Sequence, residues 1–407
     1  MRHSAEGPAF AAAVSQAREH AYPLGLPSDL DPLLDCAADA RLVLIGDASH
    51  GTHDFYALRA TITRQLVARL GFSVVAVEAD APDCEPVGRS VRLATGASAD
   101  PEDILREQRH WPSWLWANTD TVDFCRWLRE HNSQQPSEGR AGWYGLDTYP
   151  LWSATAGALD YLEKELGWPP TWVNESLDAP LLDAPMVPRQ YIGAVAARLA
   201  SLVPTEEAAS AAAYYHDLFL KGDRGRAVHW LKTLGSLLDD QGGQSRAVVW
   251  AHNTHVGDAS GTNMSHPSFG QLVRERYGQD SVLLVGMTGG SGSVMAARQR
   301  GAAMSVMDVA APRPGSLEAL LEKATPAEAE RALFLFPDSN DDWLVTARGH
   351  RAIGAVYNPS NEVYVPTSPG LCYDAMIWCG TTSHVEALHV QEARSGTLPT
   401  LRRSIPA

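Results

Sequence analysis

Apolar residues in this chain recur with two different periods. Leu42-Val-Leu-Ile45 is a continuous apolar run closed by Gly46, the pattern of a short strand buried on both faces. After a polar stretch, Asp47 to His53, the residues Phe55, Leu58, Ile62, Leu66 and Leu70 recur at spacings of three and four. That stripe predicts an amphipathic helix over 54–70, with Asp54 as its N-cap and Gly71 as its stop. Ser73-Val-Val-Ala-Val77 is a second apolar run, so 42–78 reads as strand, helix and parallel strand. Similar runs stand at 142–146, 247–251, 282–286, 332–336, 352–356 and 375–379. Between 151 and 240 there is none, only alanine-rich helical patterns and a proline-rich link at 179–188. The expected fold is therefore α/β: a mostly parallel central sheet flanked by helices, with an inserted helical subdomain. Residues 1–150 would form the first part of the core, 151–240 the insertion acting as lid or cleft wall, and 241–407 the second part.

Composition narrows the partners. The 407 residues are 45% apolar and 20% charged, enough to bury a large core. The 33 basic and 48 acidic residues give a net charge of -15, the wrong sign for neutralising phosphates. Nucleic acid and membrane are accordingly not expected as partners; a small-molecule substrate is, for a monomer or homodimer. No apolar run approaches the roughly 18 residues of a membrane span, and Met1-Arg-His-Ser opens no signal-peptide pattern, so the expected location is cytoplasmic. The five cysteines, Cys36, Cys84, Cys125, Cys372 and Cys379, contain no C-x-x-C and read as buried thiols.

Ligands of open α/β sheets bind beyond the carboxyl ends of the strands, so the polar residues following each run are candidates for chemistry. They are Asp47, Ser49, His50 and His53 after the first run, Glu78 after the second, Asp147 after 142–146, and His252 and His255 after 247–251. Arg59, in the second turn of the helix and off its apolar stripe, is placed to pin a carboxylate or to stabilise an oxyanion. His50, Glu78, Asp47, Arg59 and His252 form the candidate catalytic set. His53, His255, Asp147, Trp114, Trp116 and Tyr149 form the candidate substrate-binding set. Eight of the twelve tryptophans fall between Trp111 and Trp172, which suits either core or the apolar wall of a cleft. The two H-x-x-H pairs, His50/His53 and His252/His255, lack the helical H-x-x-x-H spacing of metalloproteases, so neither metal nor cofactor is expected. Gly289-Gly-Ser-Gly-Ser293 fails the G-x-S-x-G elbow at its last position, which argues against a covalent serine.

Leu44-Ile-Gly-Asp-Ala-Ser-His-Gly-Thr-His-Asp-Phe-Tyr56 resembles the signature loop of the erythromycin esterase family. Supporting matches are Val75-Ala-Val-Glu-Ala79, Trp114-Leu-Trp-Ala-Asn-Thr119, Gly145-Leu-Asp-Thr-Tyr149, Val249-Trp-Ala-His-Asn-Thr-His-Val256 and Gly270-Gln-Leu-Val-Arg-Glu-Arg-Tyr277. The resemblance implies an α/β core with helical insertions. It also implies hydrolysis of an ester or lactone without a covalent intermediate: His50 activates water, Glu78 is required, and Asp47, Arg59, His252 and His255 line the cleft. The chain departs from the pattern at four places. Asp47 stands where glutamate is usual, Ala117 where arginine is common, and Gly290 where histidine or a larger residue is frequent. The helix at 223–231 reads Asp-Arg-Gly-Arg-Ala-Val-His-Trp-Leu in place of the usual Arg-Asp and Met-Ala-Glu-Asn pattern. The leading expectation is a metal-independent hydrolase of a bulky, macrolide-like natural product. The alternatives are a biosynthetic enzyme using the same base for cyclisation, elimination or acyl transfer, and a protein that binds a hydrophobic ligand or haem without turnover.

Overall fold

The computed structural model describes residues 7–108, 111–147, 223–299 and 301–390. Their strands are β1 (Ala21–Pro23), β2 (Leu42–Ile45), β3 (Val74–Asp80), β4 (Gly142–Asp147), β5 (Ala247–Trp250), β6 (Val282–Ala296), β7 (Ser305–Val309), β8 (Arg331–Leu335), β9 (Arg348–Arg351), β10 (Tyr364–Thr367) and β11 (Ala375–Thr382). The main sheet runs β1-β8-β11-β6-β2-β5-β3-β4, with β7 joined to β6. From β11 to β4 every neighbouring pair is parallel; β1, β7 and β8 pair antiparallel. This is the mixed α/β architecture that the apolar runs predict.

Alternation along the central strands explains why continuous apolar runs were needed. Val43 and Ile45 of β2, Val75 and Val77 of β3, and Val248 and Trp250 of β5 enter one core cluster. Their neighbours Leu42, Leu44, Val74, Ala76, Ala247 and Val249 enter another. Each strand thus buries both faces, which requires helices on both sides of the sheet.

The structure revises three local expectations. The long helix spans His53–Leu70, with Thr52 at its N-cap, and its stop is Gly71 at φ 68. Asp54 is not the cap: its carboxylate accepts from the Ser383 amide and hydroxyl and pairs with Arg331. The run expected at 282–286 extends further, because β6 continues through the glycine-rich segment to Ala296. A Cβ at Gly290 would stand 2.2 Å from the Gly380 carbonyl oxygen, so glycine here permits the close approach of β11. Residues 352–356 form no strand; β9 and β10 make a separate hairpin-like sheet, and Ile353 only bridges Ser49.

Of the expected insertion at 151–240, the helix Asp223–Asp240 is described; 151–222 and Tyr149 lie outside the described residues. Among the described residues no helix is long and apolar enough to cross a membrane.

Candidate active site

Four adjacent parallel strands, β2, β5, β3 and β4, end at one rim, and each delivers a titratable group there. The chain leaves β2 through Gly46, where a Cβ would stand 2.1 Å from Asn253 Oδ1. Glycine therefore lets the loops after β2 and β5 touch, and the Asn253 amide donates to the Asp47 carbonyl at 2.7 Å. The loop turns at Gly51, φ 77, and carries Asp47 and His50 inward.

His50 is 7% exposed and has a carboxylate at each ring nitrogen. Nδ1 lies 3.4 Å from Asp47 Oδ1, and Nε2 lies 3.7 Å from Glu78 Oε2. The other Asp47 oxygen sits 2.9 Å from the guanidinium of Arg59, which is itself buried and stacked over Tyr56 and Trp250. Glu78 takes the backbone N–H of His252 on Oε2 at 2.8 Å and the Arg226 guanidinium on Oε1 at 3.0 Å. Arg226 also donates to Asp147 at 2.8 Å and stands 3.0 Å from His255 Nε2.

These contacts dictate the protonation states. Burial favours the neutral form of Asp47, but Arg59 and His50 outweigh it and hold the carboxyl below its usual range. Burial acts likewise on Glu78, yet His255, Arg226 and His50 hold it well below that range. For His50, burial opposes the charged form, while Asp47 and Glu78 favour it and prevail, so its pKa is raised. His252 moves the other way: burial and the neighbouring His50 push it down to about 4. The two imidazoles, ring centroids 5.0 Å apart, are thereby driven to opposite roles.

The tautomer of His252 follows from its contacts. Its Nδ1 accepts from the Thr254 amide at 3.2 Å and lies 2.8 Å from the Thr254 hydroxyl. A backbone N–H can only donate, so the ring proton sits on Nε2. That buried Nε2 has no hydrogen-bond partner among the described residues. An unpaired buried donor costs about 1–3 kcal/mol.

His50, Asp47, Glu78, Arg59, His252, His255 and Asp147 therefore meet in one cluster. Three expected members do not. His53 lies at the exposed start of its helix and pairs with Asp120 at 2.8 Å. Trp114, 1% exposed, and Trp116 lie in the core instead of lining a cleft wall. Trp116 packs on Tyr56, Trp143 and Trp250, because large rings fill the space between sheet and helices. Its Nε1 donates to the Glu78 carbonyl, so it supports the end of β3 from behind. Arg59 is committed to the Asp47 carboxylate, the first of its two expected uses.

Sequence reasoning missed Arg226, whose helix offered no apolar run leading to the rim. It also missed the support behind Asn253: Asn253 Nδ2 stands 3.1 Å from His350 Nε2, and His350 Nδ1 stands 2.7 Å from the buried Glu318. Asn253 lay in view inside the His252-Asn-Thr-His255 motif, but its partners are about 65 and 97 residues further along the chain. Among the described residues no three His, Cys, Asp or Glu side chains are gathered as a metal site would require.

A family model described as "Erythromycin esterase" matches residues 67–176 and 188–382, well over half of the chain. Glu78, Asp147, Arg226, His252 and His255 fall inside the matched residues; Asp47, His50 and Arg59 precede them. Among solved structures, the chain is similar to a Bacillus cereus protein at TM-score 0.69 and 16% identity, over 93% of this chain and 99% of that one. A succinoglycan biosynthesis protein matches at TM-score 0.65 and 20% identity, over 92% and 98%. A mutant of the erythromycin esterase EreC in its open conformation matches at TM-score 0.56 and 14% identity, over 89% and 95%. At these identities the likeness is one of fold.

Proposed function

The chain belongs to the erythromycin esterase family, and from that premise we propose that it hydrolyses an ester or lactone with His50 as general base. The observation that carries this reading is the placement of the buried His50 ring between two ionised carboxylates at the carboxyl rim of the parallel strands. With Nδ1–H directed to Asp47, the Nε2 lone pair is left to accept a proton from water. As that water attacks the carbonyl carbon, the imidazolium forms beside Glu78, which stabilises its charge. The oxyanion of the tetrahedral adduct accepts from His252 Nε2–H. Collapse breaks the carbon–oxygen ester bond, and the departing alkoxide takes the proton back from His50. The products are an acid and an alcohol, with no bond formed to the protein. Arg59 fixes Asp47, which in turn fixes the His50 ring. The substrate class this reading favours is a bulky natural product of macrolide type, taken up in the cytoplasm.

A second reading keeps the base and changes the reaction to cyclisation, elimination or acyl transfer. It is favoured by the departures at Asp47, Ala117 and Gly290 and by the biosynthetic name of one structural neighbour. Turnover in heavy-oxygen water separates the two. Hydrolysis places one labelled oxygen in the product carboxylate in a single turnover; an unlabelled product would replace the hydrolytic reading with the biosynthetic one.

A further inference from the structure

Arg226 was assigned no role by the sequence, yet it touches three members of the candidate site. Its Nε and terminal nitrogens reach Asp147 at 2.8 Å, Glu78 Oε1 at 3.0 Å and His255 Nε2 at 3.0 Å, and its guanidinium stacks on Trp230 at 4.5 Å. It stands in the helix segment 223–231, which departs from the family's usual pattern.

We propose that Arg226 is a positioning residue for the candidate base, acting through Glu78: it occupies the outer carboxylate oxygen while the inner one faces His50. The division of labour is visible in the contacts. Oε2 is held toward the imidazoles by the His252 amide, and Oε1 is held by Arg226 with His255 at 3.4 Å. Glu78 is buried and fixed by the His252 amide as well as by Arg226, so removing the guanidinium leaves the carboxylate in place but less balanced. The charged and titratable groups facing His50 are Asp47 from its own loop, Arg59 from the helix His53–Leu70, Glu78 from β3 and His252 after β5. Three of these are unaltered by a change at 226. Only the field of Glu78 is altered, and it then favours the imidazolium more strongly.

The inference rests on the hydrolase reading for its relevance, but its test does not. The His50 imidazole is titrated by NMR in the full-length wild type and in the R226Q, R226M, R226K and E78Q variants. R226Q and R226M are expected to raise the His50 midpoint by about half a pH unit or more, and E78Q to lower it. R226K, which restores the charge, returns the midpoint toward wild type, an ordering that loss of packing alone would not produce. Either R226Q or R226M suffices if the other does not fold. Where an ester is turned over, the acid limb of kcat/KM moves with the midpoint, about threefold in rate at pH values below it. An unchanged or lowered midpoint in a folded R226Q or R226M variant overturns the proposal. A raised midpoint in a protein that hydrolyses no ester would leave the role of Arg226 standing and defeat the hydrolase reading instead.

Discussion

Replacing His50 by alanine lowers kcat/KM by about a thousandfold or more while leaving the unfolding midpoint near that of the wild type. A positioned general base contributes roughly 10²–10⁴ in rate. His252 stands nearest, but with a pKa of about 4 it is a weak base, and its Nδ1 is already taken by Thr254. Fold is retained because each carboxylate beside His50 keeps another partner: Asp47 has Arg59, and Glu78 has Arg226 and the His252 amide. Steady-state kinetics with thermal unfolding in the same buffer checks both halves. A His50→Ala protein within a few fold of wild type would remove His50 from the chemistry.

The largest loss of stability is expected at Arg59. Its guanidinium and the Asp47 carboxylate are almost fully buried and 2.9 Å apart, and Asp47 is ionised at neutral pH. Taking away one partner of such a pair leaves an uncompensated buried charge, which costs about 3–5 kcal/mol. Arg59→Met also forfeits the stacking over Tyr56 and Trp250. The paired change Asp47→Leu with Arg59→Met leaves no orphaned charge, so it should recover a substantial part of the loss. Denaturant midpoints of the two variants decide the matter. An Arg59→Met protein within about 1 kcal/mol of wild type would mean that Asp47 is neutral in the folded chain.

Much of this site could be read from residues 42–78 because sequence neighbours there are also neighbours in space. The run at 42–45, the stripe from Phe55 to Leu70 and the run at 73–77 specify two strands and a helix, and the rule that ligands bind beyond strand ends then singles out Asp47, His50 and Glu78. His252 and Asp147 followed by the same logic. What could not be read was anything decided by packing between distant segments. Trp114 and Trp116 have the composition of a cleft wall, but whether rings face solvent or core depends on what covers them, and here the helices on that side of the sheet do. The glycines at 289–292 look like a turn when read locally, yet serve the approach of β11 from about 90 residues away. Arg226 was invisible for the same reason: its partners Glu78 and Asp147 lie 148 and 79 residues earlier.

The central claim is that the proton on His50 governs turnover. The direct measurement is the pH dependence of kcat/KM set against the NMR titration of the His50 imidazole in the same protein. A base must be unprotonated to act, and Asp47 and Glu78 outweigh burial to raise the His50 pKa above its ordinary 6.5. The predicted profile therefore rises with pH, reaches half its plateau above 6.5, and shares its midpoint with the His50 titration. A rate that stays flat while His50 loses its proton, or that falls as it does so, would contradict the account.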